Sequence, residues 1–426
     1  MWKLVFKNLW ANRKKNIWLF LELIAVAVIS WKIIDTITVN YYAIQREPGY
    51  TQDNMHVLRI NTYLDKDMRY DSLQQEENIR IENLQRLRSL VNNLPGVTST
   101  TYALNYQLFE TTGNKGFCFP VDTVLHCANV TLDFVPGTDF FTTLGIPGNK
   151  AEEYSKMPLR ENDFILDEKF AQVISPNEKI DGRRIFLHDS VPGMLVGTLP
   201  HVVPKSASEE SFVVYNPISM EELLEDIDWG GLIVVRTRPD VSTSEFNRMF
   251  AEKRSELHAG NFYISELTDF ATRRSSYLYS SGNTNKLRIN TALAIFFGIS
   301  LCLGVAGSFY LQTRRRTEEG GIMRSFGATR WFLVRELILE GVVLTTITWI
   351  IGCLIYLQFA LKEGLQMIGW NHPHESMANW TDHFAQHFII VSLIVYVILL
   401  IVVTVGIYIP AHYISRSNPV DALRDE

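Results

Sequence analysis

Four stretches of this chain are long and almost free of charge, and they limit what it can fold into. A bilayer core of about 30 Å is crossed by roughly 20 apolar residues in a helix. Residues 289–311 (INTALAIFFGISLCLGVAGSFYL) and 388–409 (FIIVSLIVYVILLIVVTVGIYI) contain no charged side chain. Residues 337–361 contain one acid, Glu340, near their start. Residues 17–39 hold Glu22, Lys32 and Asp35, but their centre from Leu23 to Trp31 is apolar. Glu22 and Lys32 lie near the ends, where a charge costs less than at the midplane. The sequence therefore predicts four transmembrane helices. The averages hide this: 47% hydrophobic residues, 20% charged and a mean hydropathy of +0.02 describe an ordinary soluble protein.

Basic residues set the orientation. Residues 1–16 hold five Lys or Arg and no acid, and residues 312–336 hold six Arg against three Glu. The 362–387 segment has only Lys362 as a basic residue. The positive-inside rule places both termini and the Arg-rich loop in the cytoplasm. Residues 40–285, with 34 acidic and 23 basic side chains, are then outside. No small-residue cleavage site follows the first stretch, so it reads as an uncleaved anchor with Tyr41 and Tyr42 at the interface.

The external segment is long enough for a packed domain. Residues 71–94 read as a helix capped by Asp71 or Ser72 and stopped at Asn93-Leu94-Pro95-Gly96, followed by a strand over 97–108. Residues 231–238 read as a second strand, followed by a helix capped at Asp240, Ser242 or Thr243 and a strand at 262–264. Short strands lie between these two units, at 113–119, 164–166, 185–188, 194–199 and 212–215. The expected class is four transmembrane α-helices plus an α+β extracytoplasmic domain with a β-rich insert. Cys118 and Cys127 lie nine positions apart in it, and the spacing leaves a disulfide and two buried thiols equally open. Cys302 and Cys353 read as packing residues within spans.

Several chemistries lack their motifs. There is no GxxxxGK[ST] loop, so this chain alone is not expected to bind ATP. GxSxG, HExxH, paired CxxC and GxGxxG are also absent, and the carboxylates of 40–285 are scattered. No enzymatic activity, cofactor or metal is expected. His372, His374, His383 and His387 read as polar interfacial histidines. A pI near 6.0 argues against a nucleic-acid partner.

Two features carry functional information. Residues 314–337 (RRRTEEGGIMRSFGATRWFLVREL) can form a short basic amphipathic helix. Its physics fits a partner's groove and an anionic membrane surface equally well. Ser300, Gly304 and Ser308 recur every four residues in the second predicted span, and Gly341, Thr345 and Gly352 are comparable in the third. Small residues at such spacing let helices approach closely, within the chain or between subunits.

The Arg-rich loop resembles the signature of MacB/FtsX-type ABC transporter permeases, RTREIGI-RRALGATR before the third span. Arg316, Thr317, Glu319, Gly321, Ile322, Arg324, Gly327, Ala328, Thr329 and Arg330 match it, with Gly320 and Phe326 as departures. Pro410-Ala411 and Pro419-Val420-Asp421-Ala422-Leu423-Arg424 resemble the family's closing segment, and residues 7–23 its opening. The resemblance extends to Leu94-Pro95-Gly96-Val97, to 139–146 and to 164–176.

It implies a cytoplasmic N-terminal helix (1–16) and spans at 17–39, 289–311, 337–361 and 388–409. The domain at 40–285 divides into a porter-like part (40–110 and 220–285) and a β-rich insert (111–219). A coupling loop (312–336), a short external loop (362–387) and a cytoplasmic tail (410–426) complete it. It also implies a dimer of permease chains, identical or not, in the lipid of a bacterial inner membrane. A separate ATPase would bind ATP and magnesium, and Thr317, Glu319, Gly321, Arg324, Gly327, Ala328 and Arg330 would couple it to the spans. The output would be motion of the external domains, by mechanotransmission, for export or efflux from the periplasm with an envelope partner. Signalling to a cell-wall hydrolase, as in the FtsX branch, and lipoprotein release belong to the same family.

Overall fold

The computed structural model describes residues 13–113, 115–121, 124–160, 162–176, 180–186, 192–208, 211–314, 323, 327–368 and 379–415. Contacts divide the chain into two units, one of 43–284 with 369–377 and one of the remainder. Helix α1 (Arg13–Gln45) comes first, and its last three residues belong to the former unit.

That unit contains β1 (Met55–Thr62), α2 (Glu77–Asn92), β2 (Val97–Leu104) and a hairpin of β3 (Phe117–Val121) and β4 (Val124–Ala128). β5 (Val130–Phe134), β6 (Asp163–Asp167), β7 (Arg183–Phe186), β8 (Pro192–Leu199) and β9 (Val213–Pro217) follow. Then come α3 (Met220–Gly230), β10 (Gly231–Thr237), α4 (Thr243–Lys253), β11 (His258–Ala259), β12 (Phe262–Asp269) and α5 (Phe270–Ser280). One sheet has the order β11-β12-β1-β10-β2 and is antiparallel throughout. The other, β5-β9-β6-β8-β7, mixes parallel and antiparallel pairs.

Strand alternation explains how the first sheet is covered on both faces. Successive side chains point to opposite sides. Leu58, Tyr102, Ile233 and Val235 pack with Leu84, Leu87 and Val91 of α2, Leu223 and Ile227 of α3, and Phe246 and Phe250 of α4. Val57, Ala103, Leu232 and Val234 pack the other way, with Phe134, Phe140, Phe141 and Tyr215 from the second sheet's neighbourhood. β10 lies between two strands and is buried on both faces, so GLIVVRT reads as a continuous apolar run.

Three local expectations shift. Ser72–Gln75 is a 3₁₀ turn capped by Asp71, Leu73 is exposed, and α2 starts only at Glu77. The strand expected over 97–108 stops at Leu104, where Gln107 and Leu108 donate back to its carbonyl in a turn. The strand expected at 113–119 runs over 117–121. Cys118 and Cys127 face each other in the β3–β4 register and are joined by a disulfide.

The remaining unit contains the body of α1 with α6 (Asn283–Arg314), α7 (Arg330–Glu363) and α8 (Phe384–Ser415). All four helices are long and apolar enough to cross a membrane. Close approach depends on small residues. A Cβ at Gly352 would meet Ala27, and one at Gly341 would meet Ile407. Gly304 sits against the Glu22 carboxylate, so its small size serves packing within this chain, while Ser300 is exposed and Ser308 half-buried. Trp31 donates to Ser392 Oγ at 3.0 Å, and Trp349 donates to the Ser392 carbonyl at 3.0 Å, fastening α1 and α7 to α8.

His56 in β1 gives a test of this packing. It is 1% exposed and lies against Phe246 at 4.6 Å with the rings tilted by 38°, with no hydrogen bond to either ring nitrogen among the described residues. Burial holds its imidazole below the usual range, against the opposing pull of Asp269. A base depressed in the folded state contributes full stability above its unfolded value, and that stability is lost as pH falls through and below that value. His56→Leu is expected to stabilise the protein by about 1 kcal/mol and to flatten the acid side of its stability profile below about pH 6.5. Thermal unfolding across that range checks both.

Candidate functional site

The coupling residues expected from sequence fall on both sides of what the structure describes. Thr317, Glu319, Gly321 and Arg324 lie outside the described residues. Gly327 and Ala328 are described, as is the backbone of Arg330. Gly327 has φ +95°, a conformation that L side chains rarely adopt, with open space where a Cβ would go. Across it, the Ala328 amide donates to the Met323 carbonyl at 3.0 Å. Thr329 then caps α7, its hydroxyl accepting from the Phe332 amide at 3.3 Å. Gly327 and Thr329 thus have separate local jobs in Gly-Ala-Thr-Arg, the turn and the helix cap.

A second arrangement, not singled out from sequence, lies in the 43–284 unit. Its centre is Glu110, 3% exposed, with φ +55°. Ala207, facing it in the fold's loops, has φ +56°. Two non-glycine residues in the left-handed region store strain at one place, of the order of 1–3 kcal/mol each. Glu110 accepts from the Ser206 amide at 3.1 Å and from the Ser206 hydroxyl. Arg274 of α5 donates to Ser206 Oγ at 2.8 Å and to the Ile44 carbonyl at 2.6 Å, with its Nε 3.8 Å from the Glu110 carboxylate. Arg273 donates to the Phe109 carbonyl and to both Asn105 oxygens at 2.8–3.1 Å. The Ala207 amide donates to Ala43, and Arg46 donates to Ser208.

The last turn of α1, the two arginines of α5 and the loops at 105–110 and 204–208 therefore share one polar node. Tyr50 closes its apolar side, stacked on Phe109 at 4.0 Å and edge-on to Phe270. Burial dominates the electrostatics here. It pushes the Glu110 carboxyl up from the carboxylate range, despite the Ser206 bonds and the arginines. It lowers Lys205 to about 8 and Arg273 to about 10. The legible sequence signal was an Arg-Arg pair just before a span; its partners lie about 70 and 160 residues earlier, beyond any periodicity.

Among the described residues no group of three His, Cys, Asp or Glu could hold a metal ion. His372 and His374 lie outside them, His383 is exposed, and His387 is buried.

Residues 291–419 match the family described as FtsX-like permease C-terminal. The Macrolide export ATP-binding/permease protein MacB of Rhodopirellula baltica is 24% identical over 193 residues, 44% of this chain and only 25% of that protein. The uncharacterized ABC transporter permease YvrN of Bacillus subtilis is 26% identical over 336 residues, 71% of this chain and 73% of that one. Among solved structures, the periplasmic region of MacB from Actinobacillus actinomycetemcomitans matches at 14% identity with a TM-score of 0.30, covering 55% of this chain and 96% of that one. The extracellular domain of the transporter YknZ matches at 9% identity and 0.26, covering 49% and 100%. Residues 291–419 are thus similar to the FtsX-like permease C-terminal domain, and the chain is similar in sequence to the MacB and YvrN ABC permeases.

The node makes a defined prediction. Arg274→Ala strands the Ile44 carbonyl and removes from Glu110 the guanidinium 3.8 Å away, leaving Arg273 and Lys205. Hydrogen exchange at 43–46 and 204–208 is expected to rise by about tenfold or more, for a local loss of roughly 1–3 kcal/mol, with β10 unchanged. Because the Glu110 carboxyl titrates higher in the folded state, the folded state holds the extra proton above the unfolded value, and stability falls as pH rises through that window. Glu110→Gln is expected to remove that slope.

Proposed function

We propose that this chain is the permease subunit of an ABC system of the MacB/FtsX kind, acting by mechanotransmission in a bacterial inner membrane. Both termini and the 312–336 loop face the cytoplasm, and the 43–284 unit faces outward. A separate ATPase binds ATP and magnesium; this chain is not itself the enzyme. Two permease chains and two ATPases make the working assembly. The observation that carries this reading is the family match over 291–419, which contains the Gly327 break and the Thr329 cap that begin α7. The basic flanks and the acidic 40–285 segment support the orientation.

In this reading Thr317, Glu319, Gly321, Arg324, Gly327, Ala328 and Arg330 meet the ATPase. Glu319 and the arginines supply charge, and Gly321 and Gly327 let the backbones approach. Movement of α1 and α6 is delivered to the 43–284 unit through the Glu110 node, which binds the end of α1 and the helix preceding α6. The output is work on material or a partner already outside the membrane, for export or efflux. Few midplane charges mark a polar path through the spans, which supports work at the external face.

The test is co-purification of the tagged chain from mildly solubilised membranes, with an ATPase assay. An ATPase subunit is expected to be recovered with the wild type. Glu319→Arg is expected to abolish its stimulation while leaving the thermal unfolding of the chain unchanged. Recovery of no ATPase under several mild detergents contradicts the proposal.

A further inference from the structure

The four-helix unit holds a pair of ionisable side chains that the proposed function does not use. Asp35 of α1 and His387 of α8 are both 0% exposed. His387 Nε2 lies 2.7 Å from Asp35 Oδ1, and His387 Nδ1 lies 3.0 Å from the Thr381 carbonyl oxygen. The other carboxylate oxygen, Oδ2, accepts from the Gln366 amide at 3.2 Å. An ionisable group in an apolar bundle is costly, and its persistence points to function.

The protons can be counted from this geometry. A carbonyl oxygen only accepts, so Nδ1 carries a hydrogen. If Nε2 were bare and Asp35 ionised, two lone pairs would face each other at 2.7 Å in a fully buried site. One further proton must lie between them. It makes either an imidazolium beside a carboxylate or an imidazole beside a carboxylic acid, and the hydrogen-bond pattern is the same for both. Either form is net neutral. Loss of the proton leaves an uncompensated buried negative charge, which is strongly disfavoured.

We propose that Asp35 and His387 form a binding site for a single proton, and that this proton fastens the 364–368 and 379–383 segments to α1 and α8. Four pieces of chain meet there: α1 through Asp35, the segment after α7 through the Gln366 amide, the segment before α8 through Thr381, and α8 through His387. The walls are aromatic. Trp380 is edge-on to His387 at 5.0 Å, and Trp31, one turn before Asp35, stacks on Tyr356 at 4.1 Å and on Phe388 at 5.2 Å.

Tyr356 of α7 faces Asp35 electrostatically, and its buried hydroxyl has no hydrogen-bond partner among the described residues. Lys32, Lys362, Glu363, Asp382 and His383 are exposed, and the buried carboxylates of α7, Glu336 and Glu340, lie 16 or more residues before Tyr356 in that helix. When the proton leaves, the neutral imidazole has one N–H for two acceptors, so either the His387–Asp35 or the His387–Thr381 bond is lost.

The test uses the full chain in lipid nanodiscs. If the pair keeps this proton where the unfolded chain has released it, stability falls as pH rises past that point. The expected wild-type loss is up to about tenfold in the folded-to-unfolded ratio per pH unit. Asp35→Asn offers its own amide hydrogen to Nε2 and a carbonyl oxygen to the Gln366 amide. It is expected to keep the helices assembled and to lose that slope. An equal slope in wild type and Asp35→Asn overturns the proposal.

Should Asp35→Asn fail to fold, the wild type alone decides. Ring-nitrogen NMR of histidine-labelled protein, with infrared spectroscopy of the carboxyl, is expected to find either both His387 nitrogens protonated or Asp35 protonated. A bare Nε2 beside an ionised Asp35 overturns it.

Discussion

Inside hydrocarbon every peptide N–H and C=O must find a partner, because an unpaired one costs several kcal/mol. That constraint settles the four apolar segments as helices, and the rest of the molecule is arranged around them. Because lipid tails are as apolar as leucine side chains, hydrophobicity cannot hold the helices together, and close packing and a few buried hydrogen bonds must. The chain uses Gly304, Gly341 and Gly352 for approach, and Trp31, Trp349 and Ser392 for bonding. Asp35 and His387 add a buried polar tie of a kind that an apolar bundle tolerates only when paired.

The 43–284 unit solves the opposite problem. Its first sheet is covered on one face by helices and on the other by a second sheet. The strained loop at Glu110, bonded through Ser206 and Arg274 to the end of α1, concentrates the attachment of α1 and α5 at one place. A motion delivered there reaches a packed core rather than a loose tether. In the proposed machine this is where mechanical work enters the unit.

Much of this was legible in the sequence, for identifiable physical reasons. The spans declare themselves by length and charge. α2, β2, β10 and α4 follow from periodicity and from Pro95-Gly96 and Ser242, whereas the amphipathic helix expected across 314–337 is interrupted at Gly327, and Thr329 starts α7 earlier than the expected span. α3 was missed, although Ser219 and Glu222 form a capping box that marks its start. Leu73 was assigned to α2 because its spacing fits, but Asp71 caps a separate 3₁₀ turn before the helix begins. The Glu110 node and the Asp35–His387 pair were invisible for a different reason. Their partners are 68 to 352 residues apart, and no local pattern encodes a contact of that range.

The central claim is that ATP hydrolysis on one side of the membrane moves the 43–284 units on the other. The most direct test places one spin label on that unit in each permease chain of the assembled, nanodisc-embedded complex and measures the inter-label distance with ATP trapped and with ADP. The account predicts two distinct distance distributions that interconvert with nucleotide state. A single unchanged distribution, in a complex shown to be hydrolysing ATP, would contradict it.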